Sequence, residues 1–251
     1  MKAIITGMCG TLAPYIYDEF ISENWEVVVW EKHLVPTEDL DAIKTFITNE
    51  QPDAFLHIAS GPVEWIENII KAIKPFGIPL IFTSSEAVFD DSQEGPFSVD
   101  DIPRSKHNYG KYKLMCENII NRDYIENSYI IRLGWQIALH THKNNMLAYL
   151  VTEGHIKASK KWILSASFMP DTAYAIFRLI KKYPPGLYHL DGNQENLSYY
   201  ELITLLKETF MLPITIEEDN SFKRNNQLLS EEPLIHNLKE SILKYKDIHH
   251  L

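Results

Sequence analysis

The chain has 251 residues, 45% of them apolar, enough to bury a substantial core as one large α/β domain or a domain with a small lobe; this excludes a disordered or peptide-like molecule. Thirty-four acidic against 24 basic side chains leave a net charge of -10 at pH 7, which argues against nucleic-acid backbones and anionic membranes as partners. The two cysteines, Cys9 and Cys116, show no Cys-x-x-Cys or Cys/His ligand spacing, so neither a disulfide framework nor a metal site is expected, and a reducing, cytoplasmic setting fits.

The chain opens directly on the strand-like run Lys2-Ala3-Ile4-Ile5, without the features of a secretory signal. No stretch reaches the roughly 18 to 20 continuous apolar residues of a membrane span, so a soluble protein is expected. Apolar, β-branched runs at 3–6, 25–30, 54–58, 80–83 and 128–132 read as strands. Between them, 15–23, 39–49, 63–74 and 109–122 carry apolar residues at helical spacing. Such alternation implies right-handed βαβ units and a parallel sheet covered on both faces, the doubly wound α/β class.

Directly after the first strand comes Thr6-Gly7-Met8-Cys9-Gly10-Thr11-Leu12-Ala13, a G-x-x-G-x-x-A turn into a helix. Its glycines permit a tight turn, and the amides of Cys9, Gly10, Thr11 and Leu12 could receive a pyrophosphate. A bland strand-to-helix turn is the alternative, but the position after strand one is where a dinucleotide-binding fold needs it. Glu31 ends the second strand, 24 residues beyond Gly7, where a carboxylate would bind the adenosine ribose hydroxyls of NAD. Lys32 follows and would attract the 2′-phosphate of NADP, so the pair leaves that choice open; an ordinary solvated charge pair is the alternative.

Tyr109 and Lys113 are four apart, on one face of a helix. An ammonium near a phenol favours the phenolate, which is expected to bring the Tyr109 pKa down toward the range of proton transfer. With 13 tyrosines and 19 lysines in the chain, about one such pair arises by chance. Ser85 strengthens the reading. It stands at the end of the fourth strand, where its hydroxyl can bind the same carbonyl that Tyr109 protonates. Helix capping by Ser85, an interfacial ring for Tyr109 and a surface helix for Lys113 are the bland alternatives. Beyond residue 136 the pattern is less regular. Helices are expected at 171–182 and 198–210, the latter with a capping box from Ser198 to Glu201, and a strand at 186–190. The chain thus divides into a dinucleotide-binding domain, 1–135, and a C-terminal substrate-binding lobe, 136–251, whose strands can return to the main sheet.

These residues resemble the extended short-chain dehydrogenase/reductase superfamily, and more narrowly dTDP-4-dehydrorhamnose reductases and related sugar-nucleotide proteins. The likeness rests on Thr83-Ser84-Ser85-Glu86-Ala87-Val88-Phe89-Asp90, Tyr109-Gly110-x-x-Lys113-Leu114-x-x-Glu117, Ile131-Arg132-Leu133-Gly134-Trp135, and the later segments 167–173 and 186–190. The resemblance implies a Rossmann-type fold, an NADP or NAD cofactor, a nucleotide-linked sugar as substrate and a helix-mediated homodimer. It makes Ser85, Tyr109 and Lys113 catalytic, has Tyr109 and Lys113 also contact the cofactor, Lys113 orienting its nicotinamide ribose, lines the cofactor further with Ala59, Ser60 and Thr83, and puts Glu86, Trp135 and Arg224 near the substrate. For Trp135 core packing is the alternative, and for Arg224 a solvated surface charge. Two departures stand out: Ala13-Pro14 replaces the last glycine of the turn, and segment 61–79 is roughly ten residues shorter than its counterpart. The activity implied is NAD(P)H-dependent reduction of a 4-keto sugar nucleotide. The competing readings are an NAD-recycling epimerase or dehydratase and a non-catalytic, cofactor-sensing regulatory subunit on the same fold.

Overall fold

Strand and helix alternate from the first residues of the computed structural model, which describes residues 1–140 and 144–246. The order is β1 (Lys2–Ile5), α1 (Leu12–Ser22), β2 (Glu26–Val29), α2 (Leu40–Glu50), β3 (Ala54–His57), α3 (Val63–Ile73), β4 (Leu80–Ser85), α4 (Asn108–Asp123) and β5 (Ser128–Leu133). There follow β6 (Trp135–Ile137), α5 (Met146–Glu153), β7 (His155–Ala158), β8 (Trp162–Ile163), β9 (Ala166–Phe168), α6 (Met169–Lys182) and β10 (Gly186–Leu190). The chain closes with α7 (Tyr199–Phe210), β11 (Thr215–Glu218), β12 (Arg224–Asn225) and α8 (Leu238–Tyr245).

Six strands form one sheet in the order β10-β5-β4-β3-β1-β2, with every pairing parallel. β3 and β5 are buried along their whole length and β4 along nearly all of it, which is why their sequences are continuous apolar runs rather than alternating ones. Helices α1 and α6 cover one face through Ala13, Ile16, Phe20, Ile176 and Phe177. The other face packs α2, α3 and α4 through Ile43, Ile47, Trp65, Ile69, Cys116 and Ile120. The winding reverses between β1 and β3, and in open parallel sheets the crevice at such a reversal receives ligands.

The second half builds a core of its own around Leu147, Leu150, Phe168, Leu202, Ile203, Leu206 and Ile242. Three short parallel pairs, β6 with β9, β7 with β11 and β8 with β12, frame it. From within this half β10 returns to the main sheet beside β5. Most element ends lie within a residue or two of the spacing-based expectation. α1 begins three residues before the expected start at 15, because Pro14 falls in the first turn, where its missing N–H costs nothing. The α7 capping box forms as its sequence requires. Among the described residues no helix is long and apolar enough to cross a membrane.

Candidate active site

The carboxyl ends of β1, β3, β4 and β5 open into a cleft of about 1370 Å³. This exceeds the roughly 300–1,000 Å³ of a site for one small ligand and leaves room for two. Its near wall is the glycine turn. Gly7 has φ 91°, and a Cβ there would lie 3.0 Å from the Ala59 nitrogen, so only glycine lets β1 and β3 end so close together. Thr6, fully buried, holds the two ends: its Oγ1 accepts the amides of Ile58 at 3.0 Å and Ala59 at 3.1 Å. The same hydroxyl lies 3.2 Å from Nδ1 of buried His57 and 3.5 Å from the Leu56 carbonyl. Burial, with Lys113 and Lys32 adding positive charge, brings the His57 pKa down to about 3 and keeps the ring neutral. Ala13 is buried at the turn's far end, so alanine gives the close packing a glycine would. The Thr11 side chain leaves the α1 terminus uncapped and donates to the Asn144 carbonyl at 3.0 Å. Cys9, Gly10 and Leu12 share this wall, and Ala59 and Ser60 line the cleft beyond it.

The opposite wall joins β4 to α4. Ser85 accepts the Ala87 amide at 3.2 Å, so it does cap the turn at 86–88, while its hydroxyl also meets that of Tyr109. One helical turn on, Lys113 is almost fully buried and donates to the Thr83 carbonyl at 2.8 Å. Its ammonium lies 4.7 Å from the centre of the Phe82 ring and 5.9 Å from that of Tyr109. Burial pulls the Lys113 pKa down to about 8. The expected depression of the Tyr109 pKa is corrected here. Tyr109 is 52% exposed as a residue, yet loss of water around its hydroxyl pushes the pKa up, the Ser85 hydrogen bond opposes that, and Glu86 adds to the rise. Lys113 is tied to Thr83 instead of pairing with the phenol oxygen, which is why its charge does not decide the balance.

Gly110 explains why α4 can stand here. A Cβ at this position would overlap the Ala87 carbonyl oxygen and the Ser105 hydroxyl. Behind it runs a buried polar chain that sequence reading assigned no role. Ser84 donates to Glu117 at 2.5 Å, Arg132 pairs with both Glu117 oxygens at 2.8 and 3.1 Å, and Arg132 donates to His189 Nε2 at 3.3 Å. His189 donates in turn to the Leu229 carbonyl at 3.1 Å. Its pKa falls to about 4 through burial and the Arg132 charge, so it stays neutral. The chain locks α4 to β4, β5 and β10. The available signal was an arginine inside Tyr129-Ile130-Ile131-Arg132-Leu133, since a charge in a buried strand demands a partner.

At the far end, Glu86 is half-buried and hydrogen-bonded to Asn226, and its partial loss of water raises its pKa. Its Oε2 makes no hydrogen bond among the described residues. Arg224 is no solvated charge: with 14% side-chain exposure it pairs with Asp91, donates to the Phe89 carbonyl at 3.3 Å and stands 3.8 Å from Glu86. Trp135 lines the cleft as the first of a run of rings, 5.3 Å from Tyr149 and 6.2 Å from Tyr199 between centres. Trp162 continues the run and donates to Asn226 at 2.8 Å. Glu31 and Lys32 occupy the other extremity, beyond β2. The structure thus gathers every sequence-predicted site residue around one cleft, with Arg224 just behind Glu86.

A parallel sheet with a glycine turn at its reversal point, facing a Ser/Tyr/Lys wall, defines a Rossmann-type α/β protein. More particularly, the chain belongs to the RmlD substrate binding domain family, which it matches over residues 63–216. It is 27% identical to the spore coat polysaccharide biosynthesis protein SpsK of Bacillus subtilis over 241 residues, covering 86% of this chain and 84% of that one. It is also 26% identical to methionine adenosyltransferase 2 subunit beta of Xenopus tropicalis, covering 84% of this chain and 73% of that one. Among solved structures, the dTDP-4-dehydrorhamnose reductase of Bacillus anthracis in complex with NADP shares the fold, with a TM-score of 0.83, 16% identity, and coverage of 100% of this chain and 99% of that one.

Proposed function

We propose that the protein reduces the 4-keto group of a nucleotide-linked sugar with NADPH or NADH. The observation that carries this is the placement of Ser85, Tyr109 and Lys113 on one cleft wall, opposite the Gly7 turn. The residues present fit a dinucleotide: Gly7 permits a turn that a Cβ would spoil, the Gly10 amide closes it onto the Gly7 carbonyl at 2.7 Å, and the amides of Cys9, Thr11 and Leu12 stand beside it. Gly7, Cys9, Gly10, Thr11 and Leu12 would hold the pyrophosphate, and Ala59, Ser60 and Thr83 the remaining length. When bound, a reduced nicotinamide supplies the hydride.

The chain's own work is orientation and proton delivery. Ser85 donates a hydrogen bond to the substrate carbonyl and polarises it. Tyr109, whose phenol titrates above its ordinary range, gives its proton to the oxygen as negative charge develops there. Lys113, fixed by the Thr83 carbonyl, holds positive charge behind the tyrosine ring. Glu86 and Trp135 contact the sugar, and Arg224 sets the position of Glu86. Tyr109→Phe is expected to lower kcat by about 10²–10⁴-fold with dinucleotide affinity unchanged. A wild-type protein that binds NADPH but oxidises none of it with any keto-sugar nucleotide would refute the proposal. That result would favour the second reading, a cofactor-sensing regulatory subunit, which draws on the likeness to methionine adenosyltransferase 2 subunit beta. A cytoplasmic setting and a homodimer belong to the leading reading, and light scattering tests the dimer.

A further inference from the structure

Tyr112 stands between Tyr109 and Lys113 on α4 and has no part in the chemistry above. It is half-buried, and its hydroxyl accepts the Gly61 amide at 3.1 Å, across 51 positions of the chain. Its ring lies 5.6 Å from the Lys113 ammonium, which also has the Phe82 ring at 4.7 Å and the Tyr109 ring at 5.9 Å. Each separation is within cation–π reach. One side chain thus touches both the loop after β3 and the buried lysine of the site.

Gly61 belongs to the stretch that leaves β3 along the cleft, where Ala59 and Ser60 form the wall. At the near end Thr6 Oγ1 accepts the amides of Ile58 and Ala59. At the far end Pro62, which has no N–H to offer, begins α3 as its N-cap. Between them Gly61 passes tightly over Trp65: a Cβ there would lie 2.7 Å from that buried ring. The wall is therefore held from two sides. Thr6 fixes it from the end of β1, and Tyr112 fixes it from the helix that carries Tyr109 and Lys113. We propose, on the footing of the dinucleotide reading above, that Tyr112 is a positioning residue for the cofactor: by clamping Gly61 it presents Ala59 and Ser60 already in place, at a spacing from Lys113 set by a single side chain. Without the clamp, binding has to order the stretch itself, and affinity falls. Proton delivery by Ser85 and Tyr109 does not run through Gly61, so saturating cofactor restores the rate.

Tyr112→Phe deletes the hydroxyl and keeps the ring beside Lys113, which isolates the clamp. Tyr124→Phe is the comparison, since it removes a hydroxyl at the end of the same helix that donates to the Ile78 carbonyl at 2.9 Å, outside the cleft. Titration calorimetry of NADPH and NADH with the full chain should show Tyr112→Phe weakening the dinucleotides about five- to tenfold, the worth of one hydrogen bond, with Tyr124→Phe within about twofold of wild type. In turnover with a 4-keto sugar nucleotide, the KM for the dinucleotide should rise by the same factor while kcat stays within about twofold, a split that general loosening of α4 would not give. Unchanged dinucleotide affinity in Tyr112→Phe overturns the proposal, as does an equal loss in Tyr124→Phe or a fall in kcat with KM unmoved. A folded wild type that binds neither dinucleotide sinks the dinucleotide reading itself, an outcome distinct from wild-type binding that Tyr112→Phe leaves intact.

Discussion

Replacing Lys113 by methionine should abolish turnover and yet leave the fold as stable as before, or more so, at neutral pH. The ammonium is buried, and its pKa falls from an ordinary 10.5 to about 8, so the folded state carries a charge it holds poorly. At about 1.36 kcal/mol per tenfold change in proton affinity, that strain is roughly 3 kcal/mol while the lysine is charged in both states. Methionine removes it and loses the charged hydrogen bond to Thr83, worth about 1.5–3 kcal/mol, for a net change near zero or slightly favourable at pH 7. The pH dependence is sharper. Between pH 8 and 10.5 the folded wild type gives up its proton before the unfolded chain does, so wild-type stability rises with pH, by about 2.5 kcal/mol at pH 10. The variant has no such group. Urea unfolding of both proteins at pH 7 and pH 10 should therefore show the variant's stability relative to wild type falling by about that amount, with other titrations cancelling. A difference between the two proteins that stays flat from pH 7 to pH 10 refutes the reasoning.

Gly7→Ala meets a left-handed backbone and the Ala59 nitrogen together, so it should cost about 1–2 kcal/mol of stability and weaken dinucleotide binding at least tenfold; unchanged affinity by calorimetry would count against the cradle. Gly110→Ala must push α4 away from the turn at 86–88. Because a displacement of about 1 Å can cost 10²-fold, kcat should drop on that scale with dinucleotide affinity held within a few-fold, and a kcat within twofold of wild type would contradict it. Glu117→Gln leaves Arg132 buried without its counter-charge and should cost about 3–5 kcal/mol in urea unfolding. A loss below about 1 kcal/mol would show that His189 and Ser84 alone satisfy the network.

The parallel core could be read from the sequence because burial on both faces leaves a direct trace: β3, β4 and β5 are apolar at consecutive positions. The α7 terminus was equally plain, since its capping box is local. The pairs β7 with β11 and β8 with β12 left no such trace. Each strand has two to four residues, and its partner lies about 60 positions away, so neither period nor turn chemistry announces it. At the site, Ser85, Tyr109 and Lys113 were recoverable from their order along alternating elements. Their electrostatics were not. The direction of the Tyr109 shift depends on which acceptor takes the Lys113 proton, and that acceptor, the Thr83 carbonyl, is a main-chain atom no motif encodes. The surroundings of Arg224 were out of reach for a similar reason: its partners Asp91, Phe89 and Glu86 lie more than 130 residues earlier.

The late return of β10 bears on how the protein is made. Residues 186–190 supply the edge neighbour of β5, and His189 among them closes the buried chain that begins at Ser84. A ribosome that has released the first 135 residues has therefore exposed a sheet with one flank open and an arginine paired with Glu117 but still without its His189 contact. Productive closure must wait until about fifty-five more residues emerge. A gene fragment ending near 135 would yield an aggregating stump rather than a usable nucleotide-binding module, whereas a stop codon placed after β10 and α7 would at least let the central layer seal.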